Sequence, residues 1–277
     1  MSTTLPPVEL TLIGIGTGNP DHLTRQAISA MNAADLILLP HKGEDKAELA
    51  ALRQSLCDAV LAPGTAVHIA GFDMPVRRSQ GDDYLVQVDE WHAAITMRWQ
   101  AAMADALARG AVDPSRRNAL RVALLVWGDP SLYDSTLRIA ARMQPAPVRI
   151  TVVAGITSMQ ALTAAHAIPV NDIGQPFVVT TGRQLREHGW PAGVDTLMVM
   201  LDGQCSFAVL PSDVAHDVQI WWGAYLGMPQ QLLDHGPLAE VAERIAATRA
   251  AARARHGWIM DIYLLRRSPA HSTSGCA

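Results

Sequence analysis

Three short apolar runs in this chain each close on glycine. Val8 to Ile13 leads into Gly14, Gly16 and Gly18; Arg121 to Val126 leads through Trp127 into Gly128-Asp129-Pro130; Arg149 to Val153 leads to Gly155. Compact runs of Val, Leu and Ile bounded by glycine read as buried strands. After the first, Leu23, Ala27, Ala30 and Met31 fall at helical spacing, and Asp35 to Leu39 forms a second strand closed by Pro40. Strand, helix and strand at that length predict a parallel βαβ unit. In an open parallel sheet, ligands bind beyond the carboxyl ends of the strands, so three glycine-bearing ends outline one site.

The rest of the chain continues the alternation. Residues 44–58 are helical in pattern and 66–71 suit a strand. Tyr84, Val88, Trp91, Ile95, Trp99, Ala102 and Ala106 step by three or four, predicting a long amphipathic helix over 83–109. Helices are expected at 132–143 and 157–166, and a linker at 168–176, where turn formers include two prolines. Strands then follow at 177–181, 196–201, 218–223 and 258–265, with a helix at 237–254 whose arginines gather at its C-terminus. The reading is an α/β protein of two α/β domains: residues 1–168, with a long insertion around 41–120, and 176–267, followed by a disordered tail at 268–277.

With 277 residues, 49% of them hydrophobic and 17% charged, the chain can bury a large core and is not intrinsically disordered. Acidic residues outnumber basic ones, 26 to 22, which argues against nucleic acid as a general partner. The three cysteines, Cys57, Cys205 and Cys276, are far apart, so neither a disulfide framework nor a zinc knuckle is expected, and the expected setting is the reducing cytosol. The histidines show no spacing that reads as metal ligation. No apolar run approaches the ~20 residues of a membrane span, and the start, M-S-T-T-L-P-P, lacks the features of a signal peptide.

The first glycine loop fails as a dinucleotide fingerprint. A GxGxxG starting at Gly14 needs glycine at 19, where the chain has Asn19 followed by Pro20. The second strand ends in Leu39-Pro40 rather than in an acidic residue for a ribose, and no GKS or GKT occurs. A nicotinamide-dependent oxidoreductase is therefore the rival reading from a different class.

Taken together, the loops G-I-G-T-G-N-P-D-H-L-T at 14–24, G-D-P-S-L-Y at 128–133 and G-I-T-S at 155–158, with V-M-L at 199–201 and W-W-G-A-Y-L-G at 221–227, resemble the class III, tetrapyrrole-methylase-type, S-adenosylmethionine-dependent methyltransferases. The resemblance covers about 9–40 and 121–265. Within the family, the P-H-K-G-E-D-K-A-E-L-A-A-L-R segment at 40–53 and V-W-G-D-P-S-L-Y-D-S-T at 126–136 are most similar to the deacetylating branch of aerobic cobalamin biosynthesis. That resemblance implies methylation of C1 of precorrin-5 with loss of acetate, giving precorrin-6A; methylation of another tetrapyrrole ring carbon is the alternative within the family.

The resemblance also implies the site: a cleft between two α/β domains that holds the cofactor folded. Matched position by position, the implied cofactor contacts are Thr17, standing where relatives carry proline; Trp127, Gly128, Asp129 and Leu132; Thr157 and Ser158; and, in the second domain, Met200, Gly223 and Ala224. Glycine suits such a site because its backbone can approach a ligand closely. Deacetylation benefits from a base that activates water and a donor for the acyl oxyanion. His41 and Lys42, which follow the second strand on the rim of the glycine loops, are the catalytic candidates, with His188 and Asp202 as alternatives. The implied substrate, a polycarboxylate precorrin, would be met by arginines such as Arg77, Arg78 and Arg183. A homodimer is expected from the family's habit.

Overall fold

In the computed structural model, residues 5–41, 47–76, 84–113 and 118–267 are described. Lys42, Arg77, Arg78 and the 268–277 tail lie outside them. The chain divides into two compact units, Met1–Thr157 and Ser158–Ala277.

The first unit holds β1 (Val8–Gly14), β2 (Leu36–His41), β3 (His68–Asp73), β4 (Leu120–Val126) and β5 (Arg149–Val153), all parallel, in the order β3-β2-β4-β1-β5. Alternate side chains serve opposite faces, as the strand period requires. Leu10, Leu12, Leu36, Leu38, Val122 and Leu124 pack under α3 (Tyr84–Ala108) and α4 (Thr136–Ala140). Ile13, Ile37, Leu39, Ala123 and Leu125 pack under α1 (Arg25–Ala33) and α2 (Ala47–Val60). The long helix is anchored by Ile95, Trp99, Met103 and Ala106, the spacing that predicts it. The βαβ expectation holds for direction, but β4 lies between β1 and β2. At the opening edge of the sheet, Arg121 clamps Asp35 through Nε at 3.2 Å and Nη2 at 2.7 Å, fixing β4 beside β2.

The second unit contains α5 (Ser158–His166), β6 (Val178–Thr181), α6 (Gly182–His188), β7 (Thr196–Met200), α7 (Ser212–Ala215), β8 (Val218–Ala224), β9 (Leu232–Pro237), α8 (Leu238–His256) and β10 (Asp261–Arg267). Its sheet order is β6-β7-β10-β8-β9; only the β6–β7 pair is parallel. Helix α5, expected to close the first domain, buries Ala161 and Leu162 against Met198, Ile262 and Leu264 of this sheet and Leu226 just after β8. The unit boundary therefore falls before that helix rather than in 168–176.

The helix at 132–143 shrinks to α4, because Asp134 caps Thr136 N at 2.6 Å and residues 128–135 form a loop. β9 and α6 were not expected; L-L-D-H-G-P has no alternation and carries both glycine and proline. Among the described residues, no helix is long and apolar enough to cross a membrane, no acidic, histidine or cysteine cluster is fit to hold a metal, and Cys57 and Cys205 are free.

Candidate functional site

The glycine loops meet at the switch point of the first sheet. After β1 the chain passes through α1, on one face, to β2; after β4 it passes through α4, on the other face, to β5. β1 and β4 are neighbours, so their continuations diverge and leave a crevice at their carboxyl ends, the usual ligand position in such sheets.

Backbone holds this crevice together. Gly128 N donates to Gly16 O at 2.7 Å, and Ile15 N donates to Val126 O at 2.9 Å. A Cβ at Gly155 would stand 2.0 Å from Gly128 O and 2.7 Å from Gly14 Cα; one at Gly14 would stand 2.6 Å from Gly155 N. No side chain fits where three strand ends touch backbone to backbone. Gly128 differs: its φ is +64°, and a Cβ there would meet Thr157 Cα at an ordinary 3.6 Å. Glycine is needed at 128 for its left-handed backbone more than for space.

Asp129 ties two of the loops. Its Oδ2 accepts from Gly155 N at 2.8 Å and its Oδ1 from Ser131 N at 2.8 Å. Burial raises the carboxyl's pKa, but the hydrogen bonds from Ser131 and Gly155 outweigh it and hold it below the usual range. The sequence suggests this carboxylate as an acceptor for the cofactor; in the structure its demonstrated work is to staple loop to loop. Thr17, buried, brings Oγ1 to 2.9 Å from His22 Nδ1. Leu132 is half-buried, its N donating to Asp129 O at 3.2 Å. Thr157 is buried, and Ser158 opens α5. The failed dinucleotide match is visible too: Asn19 caps a single 3-10 turn, Pro20–His22, and α1 starts only at Arg25, so no helix N-terminus follows directly on Gly18.

His41, the last residue of β2, reaches the same edge. Its ring lies across β3, over Gly71: a Cβ at 71 would stand 2.4 Å from His41 Cε1 and 2.8 Å from Nε2. The residue is exposed, and among the described residues no hydrogen-bond partner engages its ring.

In the second unit, Met200 ends β7 and Gly223-Ala224 end β8. Both strands run antiparallel to β10 between them, so these residues share one sheet edge. Met200 is half-buried. Ala224 is fully buried, so its methyl group belongs to the core. Gly223 serves packing: a Cβ there would stand 2.6 Å from Leu226 Cδ2 and 2.9 Å from Leu162 Cδ1.

The two alternative bases lie in the second unit, at different sheet edges. Asp202 is buried; Oδ1 accepts from Ser206 Oγ, Gln204 N and Arg186 Nη1, and Oδ2 from Ser206 N and Tyr263 Oη at 2.7 Å. Burial raises its pKa, yet the hydrogen bonds led by Tyr263 bring it below the ordinary value, leaving a poor proton acceptor. His188 ends α6, which returns the chain to the start of β7, so it lies at the opposite sheet edge from Asp202. Arg183 is exposed on α6.

Two residues at the first sheet's edge escaped the sequence reading. Tyr133, in G-D-P-S-L-Y, has φ +48° and is 46% exposed; a bulky residue in the left-handed region marks strain of the kind found at functional loops. Arg53, on α2, stacks on Trp127, its guanidinium carbon 4.6 Å from the ring centroid. It stands within the 40–53 segment singled out above, on a helix, where an arginine reads as an ordinary solvated charge.

A switch-point crevice of glycine backbone, without a dinucleotide helix, goes with the comparisons. The family model for tetrapyrrole (corrin/porphyrin) methylases matches residues 9–242, and the chain belongs to that family of methyltransferases. It is 44% identical over 262 residues to a precorrin-6A synthase (deacetylating) of Sinorhizobium sp., covering 94% of this chain and 95% of that one. The crystal structure of a cobalamin-synthesis-related protein, CobF, from Corynebacterium diphtheriae matches with a TM-score of 0.71 at 37% identity, covering 94% and 99%. That of a cobalt precorrin-4 methyltransferase, CbiF, matches in fold with a TM-score of 0.58 at 17% identity, covering 94% and 96%.

Proposed function

We propose that this chain methylates C1 of precorrin-5 with S-adenosylmethionine and releases acetate, giving precorrin-6A. The observation that carries the reading is the 44% identity, across nearly the full length of both chains, to a precorrin-6A synthase (deacetylating). The locked crevice at Gly14, Gly128 and Gly155 supports a small ligand held against backbone at the first sheet's edge. The residues there suit the methyl donor: glycine backbone that is partly withdrawn from solvent, with Gly128, Asp129 and Thr157 at the strand ends. The donor's sulfonium supplies the methyl group.

The chemistry asks little of the protein beyond position and one proton transfer. His41 accepts a proton from water as its oxygen adds to the acetyl carbonyl carbon of the substrate. The bond from C1 to the acyl carbon breaks, acetic acid leaves, and the electron pair stays in the macrocycle. That pair would form the new bond from C1 to the methyl carbon as the bond from that carbon to the donor's sulfur breaks and S-adenosylhomocysteine leaves. Alignment of the two carbons is worth up to about 7–11 kcal/mol when the geometry is good. His41 suits the proton step because its ring is exposed at the edge that carries the glycine loops. The reading includes a cytosolic location and a homodimer; exposed Val148, Ile150 and Val152 along the edge strand β5 favour a partner surface.

Incubating the protein with precorrin-5 and donor labelled in the methyl group tests this. One acetate released per methyl incorporated at C1 is expected. Methyl incorporation without acetate would assign another ring carbon. A thermal shift with NAD and none with S-adenosylhomocysteine would move the chain to the oxidoreductases. Light scattering reads the dimer, and a monomeric mass removes it.

A further inference from the structure

Arg53 stands out among the arginines withdrawn from solvent. Arg121, Arg249 and Arg266 each pair with a carboxylate, Asp35, Asp261 and Asp172 respectively. Among the described residues Arg53 makes one long hydrogen bond, Nε to Leu125 O at 3.4 Å, and its guanidinium carbon lies over the Trp127 ring. Among the described residues no carboxylate forms an ion pair with it. Asp134 favours its charge from a distance, while Asp134 Oδ1 is engaged by Thr136 N. Burial lowers the guanidinium's pKa to about 10, which still leaves it charged at neutral pH.

Position gives this cation a purpose. Leu125 and Trp127 flank the carboxyl end of β4, one residue before Gly128, so the guanidinium sits at the crevice edge. Stacking on an aromatic face fixes the plane of the guanidinium without using its Nη donors. A fork whose Nη donors engage no described residue is suited to receive a carboxylate bidentately.

We propose that Arg53 binds a ligand carboxylate at the first sheet's edge. This deepens the function proposed above and rests on it for the ligands. Two carboxylate sources are compatible: an acid side chain of the macrocycle, and the amino-acid arm of the methyl donor. Trp127, expected as a cofactor contact, then acts as the platform that holds the arginine.

Arg53→Gln and Arg53→Lys, each checked for an unchanged melting profile, are compared with the parent in three measurements. These are the KM for precorrin-5, the affinity for S-adenosylhomocysteine by calorimetry, and the affinity for uroporphyrin, an octacarboxylate macrocycle, by tryptophan quenching. If the carboxylate is the macrocycle's, Arg53→Gln raises KM and weakens uroporphyrin about 10- to 100-fold, the worth of one charge-assisted pair, with kcat moving far less. If it is the donor's, the loss appears in S-adenosylhomocysteine affinity instead. Arg53→Lys keeps the charge without the fork and falls between. Unchanged binding of both probes by a folded Arg53→Gln protein overturns the proposal. Failure of the parent to turn over precorrin-5 strikes the proposed function alone, because the two probe titrations still read Arg53.

Discussion

The carboxyl edges of the two sheets are built on opposite plans. In the first unit, strand ends touch through glycine backbone, and among the described residues no partner takes up the His41 ring or the Nη donors of Arg53 at that edge. In the second, Asp202 follows β7 with both oxygens occupied, Arg249 donates to the Asp202 carbonyl and to Asp261, and Trp222 Nε1 donates to Asp261 at 3.0 Å. Free capacity beside a backbone crevice points to chemistry; fully occupied capacity in a buried network points to scaffold. Substitutions of His41 and Arg53 should change catalysis and binding with little effect on stability, and substitution of Asp202 should do the reverse.

The largest expected effect tests the first edge. Loss of a general base costs ~100- to 10,000-fold. His41→Ala should slow acetate release and methyl incorporation together by that order, since C1 cannot react until the acyl group has gone. S-adenosylhomocysteine affinity and melting temperature should stay near the parent's. Both products can be followed in one single-turnover experiment. Parent-like rates would mean that His41 is no base; normal acetate release with stalled methylation would recast it as a group that positions the macrocycle.

Asp202 should break the other way. Asp202→Ala leaves Arg186, Tyr263 and Ser206 without their shared acceptor, and breaking a buried charged network costs about 3–5 kcal/mol. Denaturant unfolding reads this, and a loss below ~1 kcal/mol, at the scale of an exposed pair, would sink the scaffold assignment. The pH dependence follows from the sign of the shift. Asp202's folded pKa lies below its unfolded value, so its contribution is complete above about pH 4, the unfolded carboxylate's range, and is lost as pH falls through the folded pKa. Asp202→Asn should flatten the acid limb of the stability profile without removing it, because Asp129 and Asp234 are depressed as well.

Gly155→Ala should weaken the ligand as well as the fold. Its Cβ would lie 2.0 Å from Gly128 O, a backbone atom that cannot swing aside. Overpacking of this kind costs about 1–3 kcal/mol, so S-adenosylhomocysteine affinity should fall by about 10- to 100-fold if the distortion is felt at the crevice. Gly128→Val suits this purpose less well, because a β-branched residue at φ +64° strains the loop whatever the ligand needs. Undiminished affinity in Gly155→Ala would dissociate the three-glycine lock from binding.

The contrast between the edges also explains what the sequence revealed. The first edge was legible because backbone contact demands glycine, and glycine at Gly14, Gly128 and Gly155 after buried runs leaves a pattern in the chain. The parallel strands were legible for the same reason: burial on both faces makes them continuous apolar runs, as in L-I-L-L of β2. Arg53 left no such trace, since a helix surface hides an arginine among ordinary solvated charges. Asp202 looked like a base because a carboxylate after a strand has the same letter whether it is free or surrounded by Tyr263, Ser206 and Arg186. The early unit boundary was hidden because α5 carries apolar residues that suit either sheet, and only packing assigns it.

The smallest expected effect concerns how His41 is held. Its ring rests where Gly71 has no side chain, and a methyl group at 71 would stand 2.4 Å from Cε1. The clash falls on the free end of an exposed side chain, so the strand need not move and the ring can turn away. An off-rotamer or displaced ring costs about 0.5–1.5 kcal/mol, so Gly71→Ala should slow acetate release by about 2- to 10-fold. Unfolding free energy should hold level or rise slightly, as Gly-to-Ala changes in compatible backbone do. The double variant with His41→Ala separates the causes: if Gly71 acts only by seating the imidazole, the second substitution adds nothing once the ring is gone. Additive losses in the double variant would show that Gly71 serves the edge in its own right, and an unimpaired Gly71→Ala enzyme would show that the ring works from more than one position.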